Sequence, residues 1–309
     1  MSAQPTGLNY ALERLQKLED ASAMLLEILE GRVDREKVVK LRRLAKEFVE
    51  EFKLSGPVAW LVRVLPEEPI LPGAPLISVA ERLGLLDKEG IANVLSYLRN
   101  LSGEIILQIQ RSISEVDPPA IASSIKAFPI LGGRMLEILS GVYLEKVRGW
   151  PELLPTDLLL RMRRRRVDEK GSLKAGAPDL YREKGFVEPI IWAANVSKSF
   201  KSYRDYEASA EYVAELVSEY SSYMMGHKVG LNYAIVVYEE AVQERHKRVH
   251  EVFLQKVLEK VKDRINMKKF SAELFDLSRI KEDLEKNRRE NEHANHLYAT
   301  LREMKLIEK

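Results

Sequence analysis

The run EPIIWAANVSKSFKSYRDYEASAEYVAELVSEYSSYMMGHKVGLNYAIVVYEEAVQERHKRVHEVFLQKVLEKVKDRI, Glu188 to Ile265, decides how the rest of the chain is read. Its apolar residues recur first at Trp192, Val196, Phe200, Tyr203, Ala210, Val213, Val217, Tyr220 and Met224. They resume at Leu231, Ile235, Tyr238, Val242, Val249, Val252, Phe253, Val257, Val261 and Ile265. Steps of mostly three and four residues keep side chains on one face of a helix. The spacing predicts two long amphipathic helices joined by a tight turn at Gly226-His227-Lys228-Val229-Gly230. Each arm, about 35 residues, is roughly 50 Å long at the helical rise. So long a stripe needs cover from its hairpin partner, the rest of the chain or another subunit.

The start of the first arm interleaves Lys198, Lys201 and Arg204 with Phe200, Tyr203 and Tyr206. Cations tracking a phosphate backbone and rings stacking on bases fit a nucleic-acid groove. The plainer alternative puts Phe200 and Tyr203 in a core, with the charges facing water. Seven of the chain's 12 tyrosines fall between Tyr203 and Tyr238. At helical spacing such residues serve as core rings whose hydroxyls reach the rim.

Upstream lies Arg161-Met162-Arg163-Arg164-Arg165-Arg166, five arginines in six residues. Such a run repels itself unless an anion or an acidic surface relieves it. Arginine's forked donors suit phosphate. Val167 to Gly185 is polar and reads as an exposed loop. The alternative for the run is a solvated surface paired with acidic helices.

The N-terminal half reads as helices. Leu8 to Leu29 carries a Leu-rich stripe, and Gly31 stops it. Asp34 caps a second helix with Val38, Leu41, Leu44, Phe48 and Phe52 as its apolar face. Pro66, Pro69, Pro72 and Pro75 enforce a loop. Leu76 to Leu101 resembles a helix-turn-helix, with Gly84 at the turn and Ile91 to Asn100 as the second helix. Gly132-Gly133 precedes another helix but lacks the full phosphate-loop spacing, so it reads as a turn. Phe270 to Leu277 and Leu284 to Lys309 read as closing helices. The expected architecture is all-α. A helical N-terminal domain covers residues 1–150, a basic linker 151–187, and a long helical hairpin bundle 188–309.

Bulk numbers narrow the class. The chain has 309 residues, 45% hydrophobic and 31% charged, which excludes overall disorder. A net charge of +2 leaves any nucleic-acid or membrane attraction to a local patch. Residues 1–150 hold 19 basic and 20 acidic side chains, residues 151–309 hold 30 and 27. The absence of cysteine excludes disulfides and thiolate chemistry. Abundant Lys, Arg and Glu lean towards a thermophile's intracellular protein, although ordinary helical composition gives the same balance. No secretion signal or membrane-spanning run is read, so a cytoplasmic protein without membrane contact is expected.

Chemistry is sparse. His246 and His250 share metal-ligand spacing, but Lys247 and Arg248 between them disfavour a cation. Glu290 and His293 have the spacing of a di-iron half-motif without its counterpart. No nucleophile-elbow or dinucleotide pattern appears. No catalytic residue, metal or cofactor is expected.

A helical C-terminal half with a basic loop and no catalytic motif resembles the large subunit of archaeal type I-A CRISPR effector complexes. The likeness covers roughly Arg161 to Ile265 and rests on the Arg161–Arg166 run and the Lys198–Tyr206 alternation. It implies binding of CRISPR RNA or target DNA beside partner subunits, without cleavage. Two readings stand. One is a non-catalytic nucleoprotein subunit holding nucleic-acid backbone through Arg161, Arg163, Arg164, Arg165, Arg166, Lys198, Lys201 and Arg204. The other is a protein–protein scaffold associating through the Glu188–Ile265 hairpin. A helical metal-bundle enzyme trails both.

Overall fold

The structure is a computed structural model describing residues 7–30, 32, 34–54, 56–67, 88–158, 176–240 and 244–308. It divides into two compact units. One contains Met1–Leu12, Ile105–Thr156 and Lys174–Lys309, the other Glu13–Glu104 and Asp157–Leu173.

The described residues of the second unit are largely helical. It takes in most of α1 (Gly7–Leu29), with α2 (Arg35–Phe52), α3 (Pro57–Val64) and the start of α4 (Lys88–Ser112). Asp34 caps α2, its carboxylate accepting from the Glu36 and Lys37 amides at 2.9 and 3.3 Å. Leu15, Leu18 and Leu25 of α1 are buried, as are Val38, Leu41 and Phe48 of α2. Arg14 lies 4.0 Å from the Phe52 ring centroid and pairs with Glu51. The first helix of the expected helix-turn-helix falls outside the described residues. Its second, Ile91 to Asn100, opens a 25-residue helix rather than forming a short reading helix.

The other unit corrects the all-α expectation: it holds a five-stranded mixed sheet in the order β1-β2-β3-β4-β5. The strands are β1 (Leu154–Pro155), β2 (Leu180–Lys184), β3 (Ile190–Ser197), β4 (Val229–Val237) and β5 (Ile265–Phe275). β2 runs antiparallel to both its neighbours, β1 and β3, while β3, β4 and β5 run parallel. Parallel strands need long crossovers, which α7 (Tyr203–Tyr223) and α8 (Glu244–Val261) supply. The Glu188–Ile265 stretch is therefore β3-α7-β4-α8 leading into β5, not a helical hairpin. Two helices of the expected pair are present; the two strands are what periodicity missed. β3 and β4 are buried on both faces, so Ile191, Ala193, Ala194 and Val196, or Leu231 to Val237, show no polar alternation. Sampling such a run every three or four residues finds an apolar residue each time, and a false helical stripe results. Gly226 ends α7 in a left-handed turn (φ 82°) and leads into β4 rather than a second helix. The expected helix at Phe270 to Leu277 is mostly β5, and the expected linker contains β1 and β2.

Both crossover helices cover one face. Tyr233 of β4 stacks on Phe253 of α8, ring centroids 4.5 Å apart. Residues of odd separation on a strand face opposite ways, so Tyr238 points to the other face. There its hydroxyl lies 3.0 Å from Ser140 Oγ of α6 (Gly132–Val142). Helices α5 (Pro118–Ala127), α9 (Leu277–Asn287) and α10 (Glu292–Glu303) complete this unit. Helix α6 runs on into a π-helical turn, Tyr143–Val147. The turn brings Tyr143 edge-on to Phe275 and Arg148 to Asp283 at 3.2 Å.

Candidate nucleic-acid interface

In an open sheet, ligands gather beyond the carboxyl ends of the parallel strands, where helix N-termini and loops converge. Here that end is fixed by backbone bonds. Tyr238 N donates to Ser197 O at 3.0 Å, and Phe200 N to Glu239 Oε2 at 2.9 Å. Leu277 N donates to Glu239 O at 3.2 Å. Ser202 opens α7 with a reciprocal capping box: its hydroxyl accepts from Asp205 N, and the Asp205 carboxylate accepts from Ser202 N at 2.9 Å. The Ser202 hydroxyl also bonds this carboxylate and, with the amide, holds it below the usual aspartate range. The loop from Ser197 to Ser202 thus has a defined path.

On this path sit Lys198, Lys201 and Arg204, all exposed. None forms an ion pair or a side-chain hydrogen bond among the described residues. Nearby carboxylates already have partners: Glu239 takes the Phe200 amide, Asp205 the Ser202 cap, and Glu137 lies 3.0 Å from Arg134. The three cations are left to face solvent or an anion.

Beside them opens a pocket of about 420 Å³. Its apolar wall is Ala122, Ile125, Leu136, Val196, Met304 and Leu306, and its polar rim includes Lys126, Ser197, Lys198 and Glu137. The first turn of α6 also lines it through Gly132 and Gly133. No side chain caps that helix, although its Gly132 amide donates to Pro129 O of the preceding turn. A Cβ built on either glycine meets nothing within 4 Å, so the helix end faces open space. The positive end of the helix dipole and the two exposed lysines favour an anion.

The expected Arg161, Arg163, Arg164, Arg165 and Arg166 fall outside the described residues. Lys198 and Lys201 lie on the loop after β3 and Arg204 in the first turn of α7, rather than along one helix running from Glu188. Phe200 is half-buried, and Tyr203, expected as core, is exposed at the start of α7. Lys126 and the Gly132-Gly133 helix end were not in the sequence-derived site. The glycine pair was a visible signal, but its meaning depends on Lys198, which only the tertiary fold brings alongside.

Other polar groups are engaged elsewhere. Asp179 accepts from Val196 N at 2.6 Å, and Asn195 donates to Ala177 O at 3.2 Å and accepts from the Tyr233 hydroxyl. Burial, and next the Asp179 charge, hold that phenol well above its ordinary range. These bonds fasten the lead into β2 onto β3. His293 Nδ1 lies 3.1 Å from Ser114 Oγ. His250 is half-buried near Glu273 and Arg279, its basicity lowered chiefly by burial. The side chain of His246 lies outside the described set. Among the described residues no group of three or more His, Asp or Glu is placed to hold a metal. No single helix among them is long and apolar enough to cross a bilayer.

No protein-family model matches the chain, and no curated protein or solved structure matches it either.

Proposed function

We propose that this chain is a cytoplasmic, non-catalytic subunit of a nucleoprotein assembly that holds nucleic-acid backbone at the carboxyl end of its sheet. The observation that carries the reading is the set of unpaired cations, Lys198, Lys201 and Arg204, on a pinned loop beside the uncapped start of α6. Lys198, Lys201 and Arg204 contact successive phosphates. Lys126 and the start of α6 take a further phosphate at the pocket mouth. Such contacts position a strand without reading its sequence. The likeness to CRISPR large subunits leaned on a helical Arg161–Ile265. Since that stretch contains β2, β3 and β4, the proposal stands on the Lys198–Arg204 geometry instead.

The test is a filter-binding series on single-stranded RNA, single-stranded DNA and duplex DNA at several salt concentrations. Each phosphate contact contributes about −0.7 to the log–log salt slope on a single strand and about −0.9 on a duplex. Lys198→Ala, Lys201→Ala and Arg204→Ala together should flatten the slope by about two units on a single strand. Absence of binding by the intact protein at low salt contradicts the proposal. Equal binding by the triple variant moves the site elsewhere.

A further inference from the structure

The amino end of the parallel strands carries a different surface. Three segments meet there: the β2–β3 turn at 185–189, the end of α7 with its turn into β4 at 223–228, and residues 262–269, which lead into β5 and form its irregular start, where its register with β4 shifts. Their adjacency is set by the ladder, which pairs Ile190 with Gly230 and Val229 with Ile265. Tyr220 Oη donates to Gly185 O at 3.1 Å, and Lys269 pairs with Glu188, so the first turn is tied to both others. From these segments project Phe186, Val187, Tyr223, Met225 and Met267, between 54% and 94% exposed. They are five of the eight large apolar side chains exposed among the described residues, so the exposure is concentrated at this end. A concentrated apolar surface on a charged protein marks an interaction site. Met225 adds a second signal. It is 94% exposed in the left-handed region, φ 54°, immediately before Gly226. A side chain held where glycine is favoured, yet buried against nothing, is not there to stabilise the fold.

Charge sets the sign of the occupant. Residues 184–188, 223–228 and 262–269 hold six basic side chains against two acidic ones, and Lys269 takes up Glu188. A second copy docking face to face would set these bases against themselves. An anionic bilayer would attract the same bases, so a lipid adduct in the test below decides against a protein partner. We infer that this end docks a partner protein presenting an apolar groove with an acidic rim, into which Phe186 and Met225 insert. None of these residues belongs to the carboxyl-end site, so docking stands whether or not nucleic acid binds there.

The full chain carrying a benzophenone side chain in place of Met225 is irradiated in native lysate, and the cross-linked peptides are identified. The same substitution at Ile130, 76% exposed in unrelated surroundings, serves as control. The expected result is one dominant protein adduct from position 225, absent from position 130. Its peptide should have Asp or Glu flanking apolar residues. Lys184→Glu, Lys228→Glu and Lys268→Glu together should lower the yield about tenfold or more, since rim charges of the wrong sign repel. These residues are exposed, and circular dichroism checks that the variants fold. A self-adduct, a lipid or nucleic-acid adduct, no adduct, the same adduct from position 130, or a yield indifferent to charge reversal overturns the inference.

Discussion

The two ends of one sheet differ in kind. At the carboxyl end the loop after β3 is pinned by Glu239 and the Ser202 cap, and its exposed side chains include Lys198, Lys201 and Arg204. At the amino end the turns project Phe186, Val187 and Met225. The first surface suits a hydrated polyanion, whose phosphates attract charge without displacing much water. The second gains most when its apolar area leaves water. Helix α7 joins them, with Arg204 in its first turn and Tyr223 in its last. The difference shows that a sheet can keep two chemistries apart by strand polarity: among the parallel β3, β4 and β5, the loops that follow the strands and the loops that precede them lie at opposite ends.

The comparison breaks if the scaffold beneath it fails. Phe253→Ala removes the ring stacked on Tyr233 and should cost about 3–5 kcal/mol, as large-to-small core changes do. Urea unfolding checks it, and both ends should lose function together. A smaller effect is expected at one end only. Ser202→Ala removes the α7 cap and should cost about 1 kcal/mol. It frees the Lys201–Arg204 path, so nucleic-acid affinity should fall while cross-linking from position 225 is unchanged. The smallest effect concerns pH. Burial lowers the His250 pKa from its ordinary 6.5, so the unfolded chain takes up this proton before the folded one. Its contribution to stability is therefore full above about pH 6.5 and declines as pH falls towards the lower folded value. His250→Gln should flatten the acid side of the stability–pH curve, measured by urea unfolding across that window.

Much of the helical structure was legible in the sequence. Asp34 before Val38 and Leu41 announced α2, and Ala210, Val213, Val217 and Tyr220 marked a buried face of α7. The sheet was not legible because Ile190–Ser197 and Val229–Val237 are covered on both faces, which erases the alternation that identifies a strand. β5 was hidden differently. It pairs with β4 through a register shift between Val229 and Leu231, so no continuous alternating run marks it. Of the candidate site, Lys198, Lys201 and Arg204 were legible as neighbours in sequence. Lys126 was not, since it joins Lys198 only where α5 and the end of β3 line one pocket. The amino-end surface was invisible for the same reason: Val187, Met225 and Met267 meet only through strand pairing.

The most direct test of two separate surfaces compares the salt dependence of single-stranded RNA binding in two variants. One carries Lys198→Ala, Lys201→Ala and Arg204→Ala, the other Phe186→Ser and Met225→Ser. The first should lose about two units of log–log slope, and the second should keep the intact protein's slope and affinity. Equal losses in both variants, or no loss in the first, would contradict the account.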